Sequence, residues 1–356
     1  MGVELSIVVP TYNERENIGI LIERIDMVLR GAGVNYEVVI VDDNSPDGTA
    51  DYAEELARTE GYPVKIVRRP GKLGLASAVI DGIKAVRGVF IAVMDADLQH
   101  PPEVLPQMLK ALKGGCDIAI ASRYVEGGSI EGWSLLRKVI SKGAILIVRI
   151  LLPKVRNIKD PISGYFMFRK DVIEGVLDKL KPRGYKTLLE ILVRGRAREV
   201  CEVPYTFRPR YKGRSKLSAK EVIDYLLHIL DLAPSYVKFA IVGALGTVVN
   251  LGTLTVLTLE GIPHAIASAT AIEVSILNNF ILNDIWTFRG GRKDKWWHRL
   301  LKFHGSSASA IIVQWTVSNA LYYLLHIPSI IAQLVGIVAG FVLNYMLSKK
   351  FVWRTQ

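Results

Sequence analysis

Apolar positions fall along this chain in two regimes. Up to about residue 235 they come in short runs separated by amphipathic segments; beyond it they come in stretches long enough to cross a bilayer. In the first regime Leu5–Val9, Val38–Val41, Val64–Val67 and Val89–Met94 are continuous aliphatic runs, and the segments at about 16–29, 47–59 and 76–86 read as helices. Unbroken Val/Ile runs alternating with helices predict an α/β domain, Rossmann-like, whose mostly parallel sheet is covered on both faces. Ligands in such sheets bind beyond the carboxyl ends of the strands. Three polar clusters fall there: Pro10-Thr11-Tyr12-Asn13-Glu14, Asp42-Asp43-Asn44-Ser45 and Asp95-Ala96-Asp97-Leu98-Gln99-His100.

The second regime predicts an all-α membrane domain. Phe239–Leu259 has no charge, Ile262 to about Phe288 is interrupted by Glu273 and Asp284, and 305–348 contains no Lys, Arg, Asp or Glu and breaks at His326-Ile327-Pro328. Each stretch approaches the roughly 20 residues that span a bilayer core, so four transmembrane helices are expected at about 236–259, 262–288, 304–326 and 328–350. Basic residues set their orientation. Arg289, Arg292, Lys293, Lys295, Arg299 and Lys302 lie between the second and third spans and Lys349, Lys350 and Arg354 follow the fourth, whereas the other two connections have no Lys or Arg. Both termini, the middle loop and the N-terminal domain are therefore expected on the cytoplasmic side of a cell-membrane protein. Trp286, Trp296, Trp297 and Trp353 fit an aromatic belt at that interface.

The spans also read as a duplicated hairpin. Lys238-Phe239 and Lys302-Phe303 open the two units, and Asn279-Phe280-Ile281-Leu282, ending in Trp286-Thr287-Phe288, matches Asn344-Tyr345-Met346-Leu347, ending in Phe351-Val352-Trp353. Glu273, Asn278, Asn279, Asn283 and Asn344 are polar residues in apolar spans; such groups face other helices or line a headgroup or transport path. Gly243, Gly246, Gly336 and Gly340 fit close helix packing.

Composition agrees with this division. Of the 34 acidic residues only Glu260, Glu273, Asp284 and Asp294 lie beyond residue 235, and the net charge of +11 rests on 45 Lys and Arg in 356 residues. A chain that is 50% hydrophobic is not a disordered one. Cys116 and Cys201 are too few for a disulfide framework or a Cys-rich metal site, and the expectation is reduced thiols in a cytoplasmic domain. Met1 leads directly into a strand pattern, without the charged and apolar regions of a signal peptide.

The third polar cluster carries the sharpest chemistry. Alternate residues at a strand end place oxygen ligands on one side, and Asp95, Asp97 and Gln99 are hard donors suited to Mg²⁺ or Mn²⁺ bridging to substrate phosphates. Asp pairs commonly only solvate a loop or cap a helix; here the pair follows an apolar strand and precedes Pro101-Pro102, which opens a helix. No Walker-type phosphate loop and no Gly-x-Gly-x-x-Gly follows the first strand, which disfavours P-loop kinases and dinucleotide dehydrogenases.

The stretches PTYNERENI at 10–18, VDDNSPDGT at 41–49, DADLQHPPE at 95–103, ASRY at 121–124, DPISGYFMFRKD at 160–171 and KGRSKLS at 212–218 resemble the inverting family 2 glycosyltransferases of GT-A fold. Within them the pattern is most similar to the dolichol-phosphate mannose synthases and their polyprenyl-phosphate sugar transferase relatives. Residues 236–353 resemble the GtrA-like four-helix membrane family. The resemblance implies a catalytic domain at 1–217, an interfacial helix and linker at 218–235 and a membrane domain at 236–356. It further implies transfer of mannose from GDP-mannose to dolichyl or another polyprenyl phosphate with inversion, or of glucose from UDP-glucose. No nucleic-acid partner is implied. By the resemblance, Pro10, Tyr12 and Glu14 line the nucleotide pocket, Asp43 meets the base or ribose with Val41 beside it, and Ala96 lies against the nucleotide. Asp95, Asp97 and Gln99 form the metal and sugar-diphosphate site, and Arg123, Arg208, Arg214 and Lys216 reach donor or acceptor phosphates.

Residue chemistry supports this scheme. A departing nucleoside diphosphate gains negative charge that a divalent ion offsets. A phosphate acceptor is already anionic at pH 7 and needs cationic capture and orientation rather than a general base. A lipid acceptor is indicated by Val139–Leu152, apolar except at Ser141, Lys142, Gly143 and Arg149, short for a span and basic at both ends, which reads as an amphipathic interfacial helix in preference to a buried core helix. Arg137, Ser141 and Lys142 would then meet a phosphate at headgroup level. A second amphipathic stretch, about Ser218 to Leu232, carries Lys220, Glu221, Asp224 and Asp231 on its polar side, and Lys212-Gly213-Arg214-Ser215 reads as a lid. Two rivals stand beside the transferase: a carrier or flippase role for the membrane domain, and a nucleotidyltransferase, which the PTYNE and DADLQH stretches disfavour.

Overall fold

The aliphatic runs fold as the strands they predict, because each can bury both faces. β1 (Leu5–Thr11), β2 (Tyr36–Asp42), β3 (Val64–Arg68) and β4 (Phe90–Val93) alternate with α1 (Arg15–Gly31), α2 (Thr49–Glu60) and α3 (Leu75–Ala85), and every residue of β1 and β2 is buried. The structure is a computed structural model and describes residues 2–180, 186–209 and 219–354. After β4 come α4 (Leu105–Lys113), β5 (Ile118–Ser122), β6 (Ser129–Ile130), α5 (Leu135–Leu151), β7 (Phe166–Arg169), α6 (Thr187–Arg194), β8 (Val200–Pro204), β9 (Thr206–Phe207) and α7 (Ala219–Leu232).

Among the described residues seven strands form one sheet in the order β3-β2-β1-β4-β7-β5-β8, and β6 pairs with β9 in a short parallel ribbon. The large sheet is parallel except for β7, which runs antiparallel between β4 and β5. Pro10 pairs with Val41 and Thr11 with Asp42 in the β1–β2 register. Since β2 flanks β1 on one side and β4 on the other, the winding reverses at β1, and the crevice beyond its carboxyl end is where an open α/β sheet takes a ligand.

Two cysteines expected as free thiols are joined. Cys116, just before β5, and Cys201, in the neighbouring parallel strand β8, form a disulfide across 85 residues of chain. Sequence separation concealed a pairing that strand adjacency produces.

The chain divides into two compact units, Met1–Leu232 and Ala233–Gln356. The second is helical: α8 (Ser235–Leu259), α9 (His264–Leu282), α10 (Trp296–Leu325) and α11 (Ser329–Leu347). Among the described residues, Ser235–Leu259 and Val335–Val352 are long and apolar enough to cross a membrane, with mean hydropathies of 1.8 and 1.3. The second expected helix gives way after Leu282 to a π-helical turn at Asn283–Thr287, and an equivalent turn, Ser348–Val352, ends α11. These turns fall at the same place in the two halves of the duplication. Phe288 and Trp353, which the repeat equates, stack on each other at 4.6 Å. Gly246 admits α9 closely: a Cβ there would stand 2.2 Å from Asn279 Oδ1.

Two expectations for this unit are corrected. The third helix begins at Trp296, not near 304, so Arg299 and Lys302 are helical rather than loop residues. Trp353 is fully buried and belongs to the core instead of an aromatic belt. One group explains both. The buried Asp284 carboxylate accepts from Arg299 Nε at 2.8 Å, from Arg299 Nη2 at 3.0 Å and from Trp353 Nε1 at 2.8 Å. The side chains of helix starts and ends are drawn inward to satisfy it. Removing one partner from a buried charge pair commonly costs about 3–5 kcal/mol. Asp284→Ala should therefore lower the thermal midpoint of the detergent-solubilised protein markedly, while an unchanged midpoint would show that this pairing carries no stability.

Candidate active site

Three strand ends supply the first wall of the crevice, and each continues through a residue in the left-handed region: Asn13 at φ 60° after β1, Asn44 at φ 58° after β2 and Leu98 at φ 62° after β4. Asparagine tolerates that conformation, whereas a leucine there is strained. At Leu98 the turn places Asp97 and Gln99 on either side of the reversal. Gln99 N donates to Asp97 Oδ1 at 3.2 Å, and Gln99 Nε2 donates to Arg208 O at 2.8 Å. The amide nitrogen is thus committed to protein, which fixes the orientation of the Gln99 amide beside Asp97. Asp97 and Gln99 are buried, and Asp95 keeps a side chain that is 37% exposed.

His100 anchors this turn from behind. Its Nδ1 accepts from Asp95 N at 3.0 Å, so Nε2 carries the proton, and its ring stacks on Tyr165 at 5.1 Å. Burial pushes the imidazole down to about 4, which keeps it neutral and an acceptor. Gly164 packs beside it: a Cβ at that position would lie 3.3 Å from His100 Cε1 and 3.5 Å from Asp95 Oδ2.

The ends of β1 and β2 are held together by short hydrogen bonds. Thr11 Oγ1 donates to Asp42 Oδ1 at 2.9 Å, and Ser45 N donates to Asp42 Oδ2 at 2.8 Å, which makes Asp42 the organiser of its loop. Asp43 is buried, accepts from Gly74 N at 2.8 Å and forms an ion pair with Arg69. Arg69 also reaches Asp81 at 2.9 Å and Ser77 Oγ at 2.7 Å, so the Asp43 carboxylate is fixed by a network from the loop after β3. Glu14 accepts from Asn17 Nδ2 at 2.7 Å at the start of α1. Tyr12 projects from the end of β1 with Lys72 Nζ 3.8 Å from its ring centre. Pro10, Val41 and Ala96 are buried, Pro10 and Val41 within the sheet, so these three offer backbone rather than side chain to the crevice.

The second wall follows β5. Arg123 is bidentate to Asp160, Nε to Oδ2 at 2.7 Å and Nη2 to Oδ1 at 2.8 Å, and its backbone N–H donates to the same carboxylate at 3.1 Å. Burial opposes the guanidinium charge, but the hydrogen bonds and charge of Asp160 outweigh it and hold the group firmly protonated. Trp133 is approached by two cations, with Arg123 Cζ 5.5 Å and Arg137 Cζ 4.3 Å from its ring centre. Tyr124 Oη donates to Ser141 Oγ at 2.9 Å, which leaves the serine proton free to donate. Arg123, Arg137 and Ser141 are therefore gathered around Trp133 and Tyr124, whose parts in the site the sequence pattern did not show.

Three further residues join the site without a sequence signal strong enough to single them out. Asp160 had a place only within a matching stretch; its role as partner of Arg123 depends on the 160–164 loop, which Ser163 Oγ ties to Ala121 O at 2.8 Å. Lys186 donates to Ile162 O in the same loop at 3.2 Å. Burial, then the charge of Arg123, pushes the lysine down to about 8. Arg69 emerges from the loop after β3. Arg214 and Lys216 lie outside the described residues, and Arg208 is exposed at the rim.

The helices beyond this wall keep unusual surfaces. On α5 Leu135, Leu136, Val139, Ile140, Leu146 and Ile150 are exposed, although Ile145 and Val148 are buried. α7 exposes Val222, Ile223 and Leu227, and Tyr225 Oη joins it to α5 through Ala144 O at 2.9 Å. A contiguous apolar face of this kind marks contact with a membrane or a partner.

Known proteins share both units. A family model for glycosyl transferase family 2 matches residues 6–177, and one for the GtrA/DPMS transmembrane domain matches residues 238–353. A dolichol-phosphate mannosyltransferase of Pyrococcus furiosus is 50% identical over 99% of this chain and 100% of its own. A dolichol-phosphate mannosyltransferase of Saccharomyces cerevisiae is 36% identical over 65% of this chain and 88% of its own. A solved mycobacterial protein superposes with a TM-score of 0.51 at 19% identity over 65% of this chain and 75% of its own, a likeness of fold.

The Arg123–Asp160 pair yields a test of its own. Asp160→Asn leaves a buried cation uncompensated and should destabilise the catalytic unit by about 3–5 kcal/mol. Combining it with Arg123→Met should recover part of that loss, because the two effects are coupled. Additive losses in denaturant titrations would show that the two side chains do not act as a pair.

Proposed function

The chain belongs to glycosyl transferase family 2 and is a glycosyltransferase with a GtrA/DPMS transmembrane domain, and we propose that it transfers mannose from GDP-mannose to dolichyl phosphate, or to another polyprenyl phosphate, at the cytoplasmic face of the cell membrane. The observation that carries the reading is the pairing of two walls in one domain. Oxygen ligands Asp97 and Gln99 stand after β4, and the cations Arg123 and Arg137 stand around Trp133 after β5. The names of the relatives support the sugar and the acceptor.

The chemistry of this donor set suits a divalent ion: Asp97 and Asp95 would supply carboxylates, and Gln99 would supply an amide oxygen, its nitrogen being occupied by Arg208 O. Mg²⁺ or Mn²⁺ asks little more of the protein, because substrate phosphates complete its shell. When bound, the ion offsets the charge growing on the departing diphosphate. Tyr12 offers a ring face at the end of β1, suited to a nucleobase, and the network of Asp43, Arg69 and Gly74 holds the pocket rim in place.

The acceptor phosphate is the nucleophile. One of its oxygens forms the bond to the anomeric carbon as the bond to the diphosphate oxygen breaks on the opposite side, which inverts the configuration. No protein base is required, since the phosphate is anionic at neutral pH. Arg123 and Arg137 capture it, the Ser141 hydroxyl donates to it, and Asp160 holds Arg123 in register. The exposed apolar faces of α5 and α7 suit a bilayer surface, from which a lipid phosphate reaches Arg137 on the first turn of α5. The basic segment 289–302 and Lys349, Lys350 and Arg354 support a cytoplasmic placement.

Purified protein with dolichyl phosphate should transfer mannose from GDP-mannose with Mn²⁺ and lose transfer in EDTA. Transfer from UDP-glucose alone would keep the mechanism and replace the donor; transfer undiminished by EDTA would remove the metal from it. Asp97→Asn should lower kcat by about 10²–10³, in line with loss of one oriented electrostatic group.

Lys186 gives a pH signature. Its cation is present below pH about 8 and is lost above it. If it assists phosphate capture beside Arg123, kcat/KM should decline as pH rises through about 8. Lys186→Arg should move that decline to higher pH, and Lys186→Met should abolish the limb at a lower plateau. An unchanged limb in Lys186→Met would exclude the lysine as its source.

A further inference from the structure

Glu273 and His304 form a pair that the glycosyltransferase chemistry does not use. Glu273 lies on α9 and His304 on α10, in the transmembrane unit, and His304 Nε2 is 3.1 Å from Glu273 Oε1. The other ring nitrogen, Nδ1, is 3.0 Å from Leu300 O. A carbonyl oxygen only accepts, so Nδ1 must carry a proton. Neutral imidazole then has a bare Nε2, and an ionised carboxylate has no proton to offer. Two bare acceptors at 3.1 Å repel. The contact exists only if one further proton is present, on Nε2 as imidazolium or on Glu273 as carboxylic acid.

Depth makes this proton matter. Glu273 precedes Asp284 by eleven residues and His304 follows the start of α10 by eight, about 16 Å and 12 Å along helices that rise ~1.5 Å per residue. No Asp, Glu, Lys or Arg other than Glu273 lies between Glu260 and Asp284 or between Lys302 and Lys349. α8 has no ionisable side chain between Lys238 and Glu260, and α11 contributes only Tyr345, whose hydroxyl is 2.6 Å from Ser235 Oγ. Towards the cytoplasmic end, Arg299 is engaged by Asp284 and Lys302 by Asp294. His264 begins α9 and His326 follows α10, at the opposite ends of these helices. The side chain of Glu273 is 55% exposed and that of His304 31%, so with this unit embedded in a bilayer they would meet hydrocarbon or another helix. A carboxylate there without its proton is costly.

We infer that Glu273 and His304 together form a proton-binding site within the transmembrane unit, holding one shared proton across Nε2 and Oε1 at neutral pH. The ligand is a proton, and its loss leaves a carboxylate facing an apolar medium, which forces the side chain towards water or a cation. Protonation therefore alters what the facing surfaces of α9 and α10 tolerate. This site does not depend on the identity of the sugar donor or acceptor.

The test uses the full chain in phosphatidylcholine nanodiscs, with ¹⁵N-histidine and ¹³C-glutamate, and takes pH as the probe. His304→Gln assigns the imidazole signal and Glu273→Gln the carboxyl signal. As pH is raised from neutral, the two wild-type signals should change with one common midpoint. In Glu273→Gln the His304 midpoint should move by at least one pH unit, a tenfold change in proton affinity. Two independent midpoints in the wild type, or a His304 titration unchanged by Glu273→Gln, would overturn the inference. Far-UV circular dichroism checks that each variant keeps its helices; if one does not, the wild-type midpoints alone decide.

Discussion

The catalytic unit is organised around a buried ion pair. Arg123 stands at the carboxyl end of β5 and Asp160 at the start of the loop that leads into β7. Their bidentate contact draws that loop across the sheet end, and with it Gly164, which abuts Asp95 and His100, and Ile162, whose carbonyl receives Lys186. Desolvating two charges is unfavourable unless the geometry is good and further hydrogen bonds satisfy them. Here the Arg123 backbone N–H and the contact between Asp160 N and Glu202 Oε1 at 2.9 Å supply these bonds. An arginine held this rigidly still faces three aromatic rings, Tyr124, Trp133 and Phe207, so a phosphate can meet a cation whose position is set beforehand.

The same logic recurs in the helical unit with the charges reversed. Asp284 is the buried group, and Arg299 and Trp353 come to it from a helix start and a helix end. The duplicated hairpins meet there: Phe288 and Trp353, equivalent in the repeat, stack face to face, and each hairpin closes with a π-helical turn. A π turn shifts side-chain direction by a fraction of a turn, which brings residues such as Trp353 inward.

Local pattern and tertiary context divided the work unevenly. Aliphatic runs with no polar interruption can only be buried strands in an α/β alternation, and β1 to β4 were readable for that reason. The polar clusters after them were equally readable, since residues at strand ends have nowhere to point but the crevice. β7, by contrast, is four residues inserted antiparallel between β4 and β5, and no periodicity announces such an insertion. α10 starts eight residues before its apolar stretch, where Arg299 is drawn in by Asp284, a contact fifteen residues distant.

The class of fold, the two-part organisation and the chemistry of the motif residues were legible along the chain, because these depend on local hydrophobic period and on side-chain type. Tertiary structure decided which of those residues act together. Trp133 beside Arg123, Tyr124 on Ser141, Arg123 on Asp160, the Cys116–Cys201 bond and the contact of Glu273 with His304 are meetings of groups that no single element contains. Such meetings depend on strand order and helix packing, and those are set by the burial of the whole chain rather than by any segment of it.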